Sequence, residues 1–278
     1  MKILVVLCEG SHDVAFLYRL FETIDFKKDS VKIGEMPKPF NEYIANMLKK
    51  HNYDDLKLSY IWPPLPSLIM KKAGNKPANQ ADVLLMLYAL GGDSQDEKAK
   101  KIINDYSAWF LGKKSEEDAS YFTGEHTYAF AYILDANDHG IPERVKKIEG
   151  IFSRVLGKRS NDRIDHNKVI KWSDASVGCF IFSGDKKCGR LEDIVYPLME
   201  KDNEPIFMDA LKYFKTHHRK EDKCDEKKST IGIAGQLQCP GESNTIIIRE
   251  SRYLSGGKIC ADLKCGEIIN FFKKLISL

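Results

Sequence analysis

The sequence predicts an α/β protein with an open, mostly parallel sheet flanked by helices and carrying an inserted, mainly helical subdomain. Three stretches predict it, each a buried-strand run leading into an amphipathic helix: "KILVVLC" (2–8), "TYAFAYILDAND" (127–138) and "VGCFIFSGD" (177–185). Each run is apolar at nearly every position, the pattern of a strand covered on both faces. Repeated strand-to-helix units build a doubly wound or related sheet.

The elements follow in order. After the first strand, Val14, Phe16, Leu17, Leu20, Phe21 and Ile24 recur at helical spacing. Gly10 permits the turn between the two, and Ser11 is placed to cap the helix. About 100 residues then separate the first unit from the second, more than one compact crossover needs. They suggest a helix at "FNEYIANMLKKH", a strand at "LKLSYIW", a proline-broken "WPPLPS", an apolar helix at "ADVLLMLYAL" and a polar helix near 95–111. Residues 36–125 are therefore read as one sheet strand plus an inserted or cap region. In the helix after the second strand, Pro142 suits the first turn, and Val145, Ile148, Phe152, Val155 and Leu156 share a face. The third strand leads into "GRLEDIVYPLM". Beyond residue 200, "NEPIFMDALKYFKTHH" and "GEIINFFKKLISL" read as helices, and "TIIIRES" fits either a strand or a helix. The expected organisation is one domain over 1–278, with a helical extension over 200–278.

The chain has 278 residues, 43% of them hydrophobic, enough to bury a sizeable core. Its net charge of +3 excludes a globally basic nucleic-acid sponge, so any phosphate-binding surface is local. No apolar run approaches the ~20 residues that span a bilayer, and "MKILVVLCEG" has an apolar stretch too short for a secretory segment and no small-residue cleavage site. A cytoplasmic protein without membrane partners is expected. The seven cysteines include no C-x-x-C, which favours reduced thiols. Cys224, Cys239, His217 and His218 offer zinc-type donors, but at spacings that match no standard zinc pattern.

Chemistry concentrates where strands end. Ligands of open α/β sheets bind at the carboxyl ends of the strands. Glu9 follows the first strand and Asp13 lies in the first helical turn. Asp135, Asn137 and Asp138 follow the second strand; Asp185, Glu192 and Asp193 follow the third. Taken singly, each of these has a plain structural reading as a helix-start or turn residue. Carboxylates converging on one edge repel one another unless a cation offsets them, and hard divalent ions take oxygen donors of this kind. The simplest reading is a Mg2+ or Mn2+ site.

"EGSHD" after the first strand, "DAND" after a later one and "GRLED" after a third together resemble the toprim domain. That module serves type IA and type II topoisomerases, bacterial primases, OLD-family nucleases and ribosomal-RNA maturation nucleases. The chain looks most like a stand-alone toprim-like protein, over the first ~30 residues and again over about 125–200. The resemblance implies a toprim-like sheet, with Glu9 as metal ligand or general acid/base and Asp135 as first ligand of a D-x-D pair. The second position falls on Asn137, which offers a carbonyl oxygen but no charge; Asp138 is the neighbouring substitute. Glu192, with Asp185, maps to a further acidic position, and Lys228 to a lysine that steadies the phosphate or leaving group.

Metal-dependent phosphodiester hydrolysis of DNA or RNA is the function implied. Arg144, Lys147, Arg154, Lys158 and Arg159, with Arg219, Lys220, Lys227 and Lys228, are the candidate contacts to nucleic-acid phosphates. No G-x-x-x-x-G-K-[ST] occurs, so any ATPase or targeting function would come from a partner protein. The alternatives are a non-catalytic module that binds nucleic acid, nucleotide or protein through a decayed metal site, and a phosphatase or phosphotransferase acting on a small ligand.

Overall fold

A computed structural model of the chain describes residues 1–28, 66–74, 82–110, 127–157, 162–172, 175–184, 187–219 and 224–277. In chain order its strands are β1 (Lys2–Cys8), β2 (Leu68–Lys72), β3 (Val83–Ala89), β4 (Thr127–Asp135), β5 (Lys168–Trp172) and β6 (Ala175–Phe182). Its helices are α1 (Ser11–Glu22), α2 (Asp96–Phe110), α3 (Gly140–Leu156), α4 (Glu192–Glu200), α5 (Glu204–His217), α6 (Glu226–Gly235), α7 (Asn244–Glu250), α8 (Gly256–Ala261) and α9 (Leu263–Ser277).

The strands form one mixed, mostly parallel sheet in the order β2-β3-β1-β4-β6-β5. β1 lies between β3 and β4, parallel to both, and β6 continues the parallel set beside β4. The short edge strands β2 and β5 run antiparallel to their neighbours. Alternate residues of the central strands point to opposite layers, as the two-residue strand period requires. Leu4, Val6 and Cys8 face a layer built from α1, α4, α6, α7 and α9, whereas Ile3, Val5 and Leu7 face α2 and α3. The α/β class, with helices on both faces, is as the apolar runs predict.

Three readings change. "ADVLLMLYAL" is not a helix; it is the strand β3. Sitting between β2 and β1, it is covered on both faces and shows no period, and its Leu, Met and Ala content mimics helix preference. "TIIIRES" resolves as helix α7. Ser11 does not cap α1: Gly10 is the N-cap, and the Asp13 carboxylate reaches back to the Gly10 N–H at 2.7 Å. The expected polar helix is α2, and the helices read after residue 200 are α5 and α9. The described part of 36–125 supplies β2, β3 and α2 to the sheet and its face. "FNEYIANMLKKH" and "LKLSYIW", with most of "WPPLPS", lie outside the described residues. Among the described residues, no helix is long and apolar enough to cross a membrane.

Candidate active site

β1 and β4 are parallel neighbours whose following helices leave toward opposite layers, α1 to one and α3 to the other. Such a divergence opens a crevice at the carboxyl ends of the strands. A cleft of about 530 Å³ lies there. Among the carboxylates in its walls, four come from three strand-to-helix junctions and lie away from the exposed rim: Glu9 and Asp13 after β1, Asp135 at the end of β4, and Glu192 at the start of α4. Hydrogen bonds tie the junctions together. The Asp135 N–H donates to Glu9 Oε2 at 3.4 Å, and the Leu191 N–H donates to Asp135 Oδ1 at 2.8 Å. His12 Nδ1 meets Glu192 Oε1 at 3.2 Å.

The electrostatics are those of acids crowded away from water. Burial, with the charges of Glu9 and Glu192 added, pushes the Asp13 carboxyl up to about 7 against the opposing Gly10 hydrogen bond. Burial and the nearby Asp13 and Glu9 push Asp135 up to about 9. Glu9 is also raised, chiefly by burial. Glu192 differs: burial works to raise it, but the His12 hydrogen bond and the Lys228 charge outweigh that and hold it low.

Of the residues nominated from sequence, Glu9, Asp13, Asp135, Glu192 and Lys228 line this cleft. Lys228 arrives from the first turn of α6, where Asp225 caps the helix by accepting the Lys228 N–H at 2.9 Å. Asp138 is exposed on the rim. Asn137 lines the cleft but its side-chain oxygen is engaged: Arg190 Nε donates to Oδ1 at 2.9 Å, and Arg190 Nη1 bonds Asp225 at 2.9 Å. The Asn137 backbone, left-handed at φ 48°, exchanges two hydrogen bonds with Gly189. Asn137 is thus a clasp between the β4 and α4 junctions, its carbonyl oxygen already accepting from Arg190.

Two of the nominated phosphate contacts, Arg144 and Lys147, carry pairings within the fold. Arg144 is not on a solvated helix face: it is 3% exposed and donates to Asp93 Oδ1 at 2.6 Å. Lys147 shares that oxygen at 2.6 Å and reaches Asp96 at 3.0 Å. Arg154 is exposed, in a separate groove with Lys100 and Lys146. Lys227 pairs with Asp193. Asp185, Lys158, Arg159 and Lys220 lie outside the described residues, and Arg219 is exposed near the end of α5.

Sequence reasoning missed Asp93, His12 and Arg190. Asp93 follows "GG" at the end of β3 and would have been found had 83–89 been read as a strand, since the turn then falls at the same sheet edge. His12 and Arg190 gave no signal, because their partners lie 180 and 53 residues away in sequence.

The carboxylates suit a hard divalent cation: burial and mutual repulsion raise the proton affinity of Asp13 and Asp135, a state that a cation reverses. Among the described residues, no three His, Cys, Asp or Glu side chains already stand grouped closely enough to hold a metal ion, which also leaves the cysteine–histidine zinc set unassembled.

No family model matches the chain, and no curated protein aligns with it. It is similar to the crystal structure of a hypothetical protein from Pyrococcus horikoshii OT3, with a TM-score of 0.52 at 14% identity, over 99% of this chain and 95% of that one. The likeness shows the fold, an open α/β sheet with helices around it.

Proposed function

We propose that the protein is a magnesium- or manganese-dependent phosphodiesterase that cleaves nucleic acid, a toprim-type nuclease working at the cleft between β1 and β4. The observation that carries the reading is the meeting of Glu9, Asp13, Asp135 and Glu192 from three separate strand ends at one crevice, with Lys228 beside them. Asp13, Asp135 and Glu192 would hold the cation, with Asp138 in reach from the rim. Bound there, it would supply Lewis acidity toward a phosphoryl oxygen and lower the pKa of a bound water. Glu9 has the raised affinity for protons that suits a general base, and a single long hydrogen bond leaves it free to reach a water. Lys228 is placed to meet the charge that develops on phosphate or leaving oxygen. Arg154, Lys100 and Lys146 offer sequence-independent backbone contacts in the neighbouring groove. The free state of all seven cysteines suits a reducing cytoplasm, and the missing P-loop motif suits a partner supplying ATPase or targeting.

The test is incubation with labelled single- and double-stranded DNA and RNA in magnesium, in manganese and in EDTA. Metal-dependent cutting abolished by both Glu9→Gln and Asp135→Asn is expected. Failure to cut any polymer in either metal removes the nuclease reading. One observation favours a second reading, a binding module with a decayed metal site: Arg190 already occupies the oxygen of Asn137, where the resemblance expects a carboxylate ligand. Metal-independent nucleic-acid binding without cleavage would select that alternative.

A further inference from the structure

We infer that the Nε–Nη2 edge of Arg144 is an anion subsite of the cleft that takes two oxygens of a phosphoryl group. The inference rests on the phosphodiesterase reading for the nature of that group, a nucleic-acid phosphate.

Arg144 stands near the start of α3 and is almost wholly buried. One corner of its guanidinium is fixed, Nη1 on Asp93 Oδ1 at 2.6 Å, and Lys147 competes for the same oxygen. The other edge is different. Among the described residues, Nε and Nη2 both lack a hydrogen-bond partner although neither is open to bulk water. Buried donors are nearly always paired, and unpaired donors on a charged group favour an incoming acceptor. The two N–H bonds on that edge form a planar fork that matches two oxygens of a phosphate or carboxylate. The side chain lines the cleft beside Glu9, and its charge acts on Glu9.

The carboxylates around the cleft have partners elsewhere. Asp13 bonds the Gly10 N–H, Asp135 the Leu191 N–H, Asp93 the opposite corner of Arg144, and Glu192 meets His12. Glu9 keeps only its long bond to Asp135 and, unlike the exposed Asp138 on the rim, stands beside Arg144. Glu9 is therefore the part of the wall that yields when an oxyanion seats on the fork. Asp93 acts as the positioning residue: it fixes the Nη1 corner of the guanidinium and leaves the Nε–Nη2 edge unpaired among the described residues.

Wild-type protein and Arg144→Lys, which keeps the charge and loses the fork, are titrated with inorganic phosphate at pH 6, in EDTA and in magnesium. Lys212→Met, an exposed α5 position, is the control. Calorimetry reads affinity, and the arginine Nε–H signals in a 15N–1H spectrum read the fork itself. The expected result is phosphate binding in at least one condition, weakened tenfold or more by Arg144→Lys and unchanged by Lys212→Met, with one wild-type Nε–H signal shifting on saturation. A single-stranded oligonucleotide arm should show the same loss for Arg144→Lys, which separates a polymer phosphate from a small-ligand site. Unchanged phosphate affinity in Arg144→Lys, or unmoved Nε–H signals in wild type at high phosphate, overturns the subsite. If Arg144→Lys does not fold, the wild-type spectrum decides. Arg144-dependent phosphate binding without cleavage keeps the subsite and removes the nuclease; cleavage indifferent to Arg144→Lys does the reverse.

Discussion

Asn137 shows how a polar side chain at the cleft is engaged by a neighbouring junction. Its oxygen accepts from Arg190 and its backbone is left-handed, a conformation that asparagine tolerates better than most residues. Asn137→Asp should therefore leave manganese affinity within about threefold of wild type, because Arg190 holds the new carboxylate as it holds the amide. Asp135→Asn should weaken it by at least about tenfold, and calorimetric titration compares the two. Asp135 also dictates a pH dependence. Its folded pKa, about 9, stands above the ordinary 3.8, so the folded state binds that proton more tightly. Its contribution to stability is complete below about pH 4 and is lost as pH climbs toward 9. In EDTA, wild type should lose stability relative to Asp135→Asn on the order of 1 kcal/mol per pH unit between pH 6 and 9. Denaturant melts at three pH values check this, and parallel profiles for the two proteins would refute the raised pKa. Gly189 makes a separate demand: at φ 113° a Cβ would stand 2.3 Å from the Asp193 carboxylate. Gly189→Ala should cost roughly 1–3 kcal/mol and loosen the clasp on Asn137, read as a drop in denaturation midpoint.

At the level of elements, the loop after β3 is fastened to α3 by Asp93, which takes both Arg144 and Lys147. Removing one partner of a buried pair leaves the other charge stranded, a change that costs about 3–5 kcal/mol when both are buried. Asp93 is 36% exposed while Arg144 is 4% exposed, so water relieves part of the loss and Asp93→Ala should cost about 1–3 kcal/mol. Phosphate added to Asp93→Ala should recover part of it if the Arg144 fork binds anions. This fastening is invisible in the sequence for one reason: the run that forms β3 reads equally well as a buried helix. A strand with neighbours on both sides and helices on both faces has no polar face, so its sequence holds no alternation to distinguish it from a buried helix. β1, β4 and β6 are equally apolar, but β-branched residues, or acidic and glycine turns at their ends, mark them out. That is why Glu9, Asp135 and Glu192 were legible as a set. Lys228 lines the cleft, but α6 says nothing by itself about which edge it approaches, so its sequence alone carries no sign of that position.

For the molecule as a whole, the last helices are part of the layer that covers the sheet. Phe271 packs on Phe180 of β6 with ring centroids 5.7 Å apart, and Phe272 packs on Phe21 of α1 at 4.7 Å. Lys2 of β1 donates to the Ile276 carbonyl at 2.7 Å, so the first strand and the last helix hold each other. Ile231, Ile247, Ile248, Ile268, Phe271, Phe272 and Leu275 are all buried from this segment. Each such side chain contributes about 1.5–3 kcal/mol by burial, and a domain's whole stability is about 5–15 kcal/mol. Their combined loss exceeds the margin. A chain ending at residue 223 should therefore lose cooperative unfolding and bind hydrophobic dye, even though every strand of the sheet remains. It would also lack Lys228, and the Thr245 hydroxyl that meets Ser11 at 2.9 Å beside the cleft. A cooperative melt from that truncated chain would show instead that the sheet with α1–α5 folds alone. In that case α6–α9 would be an appended layer whose contribution to the cleft is chemical, through Lys228, and the truncated protein would keep its metal affinity while losing activity.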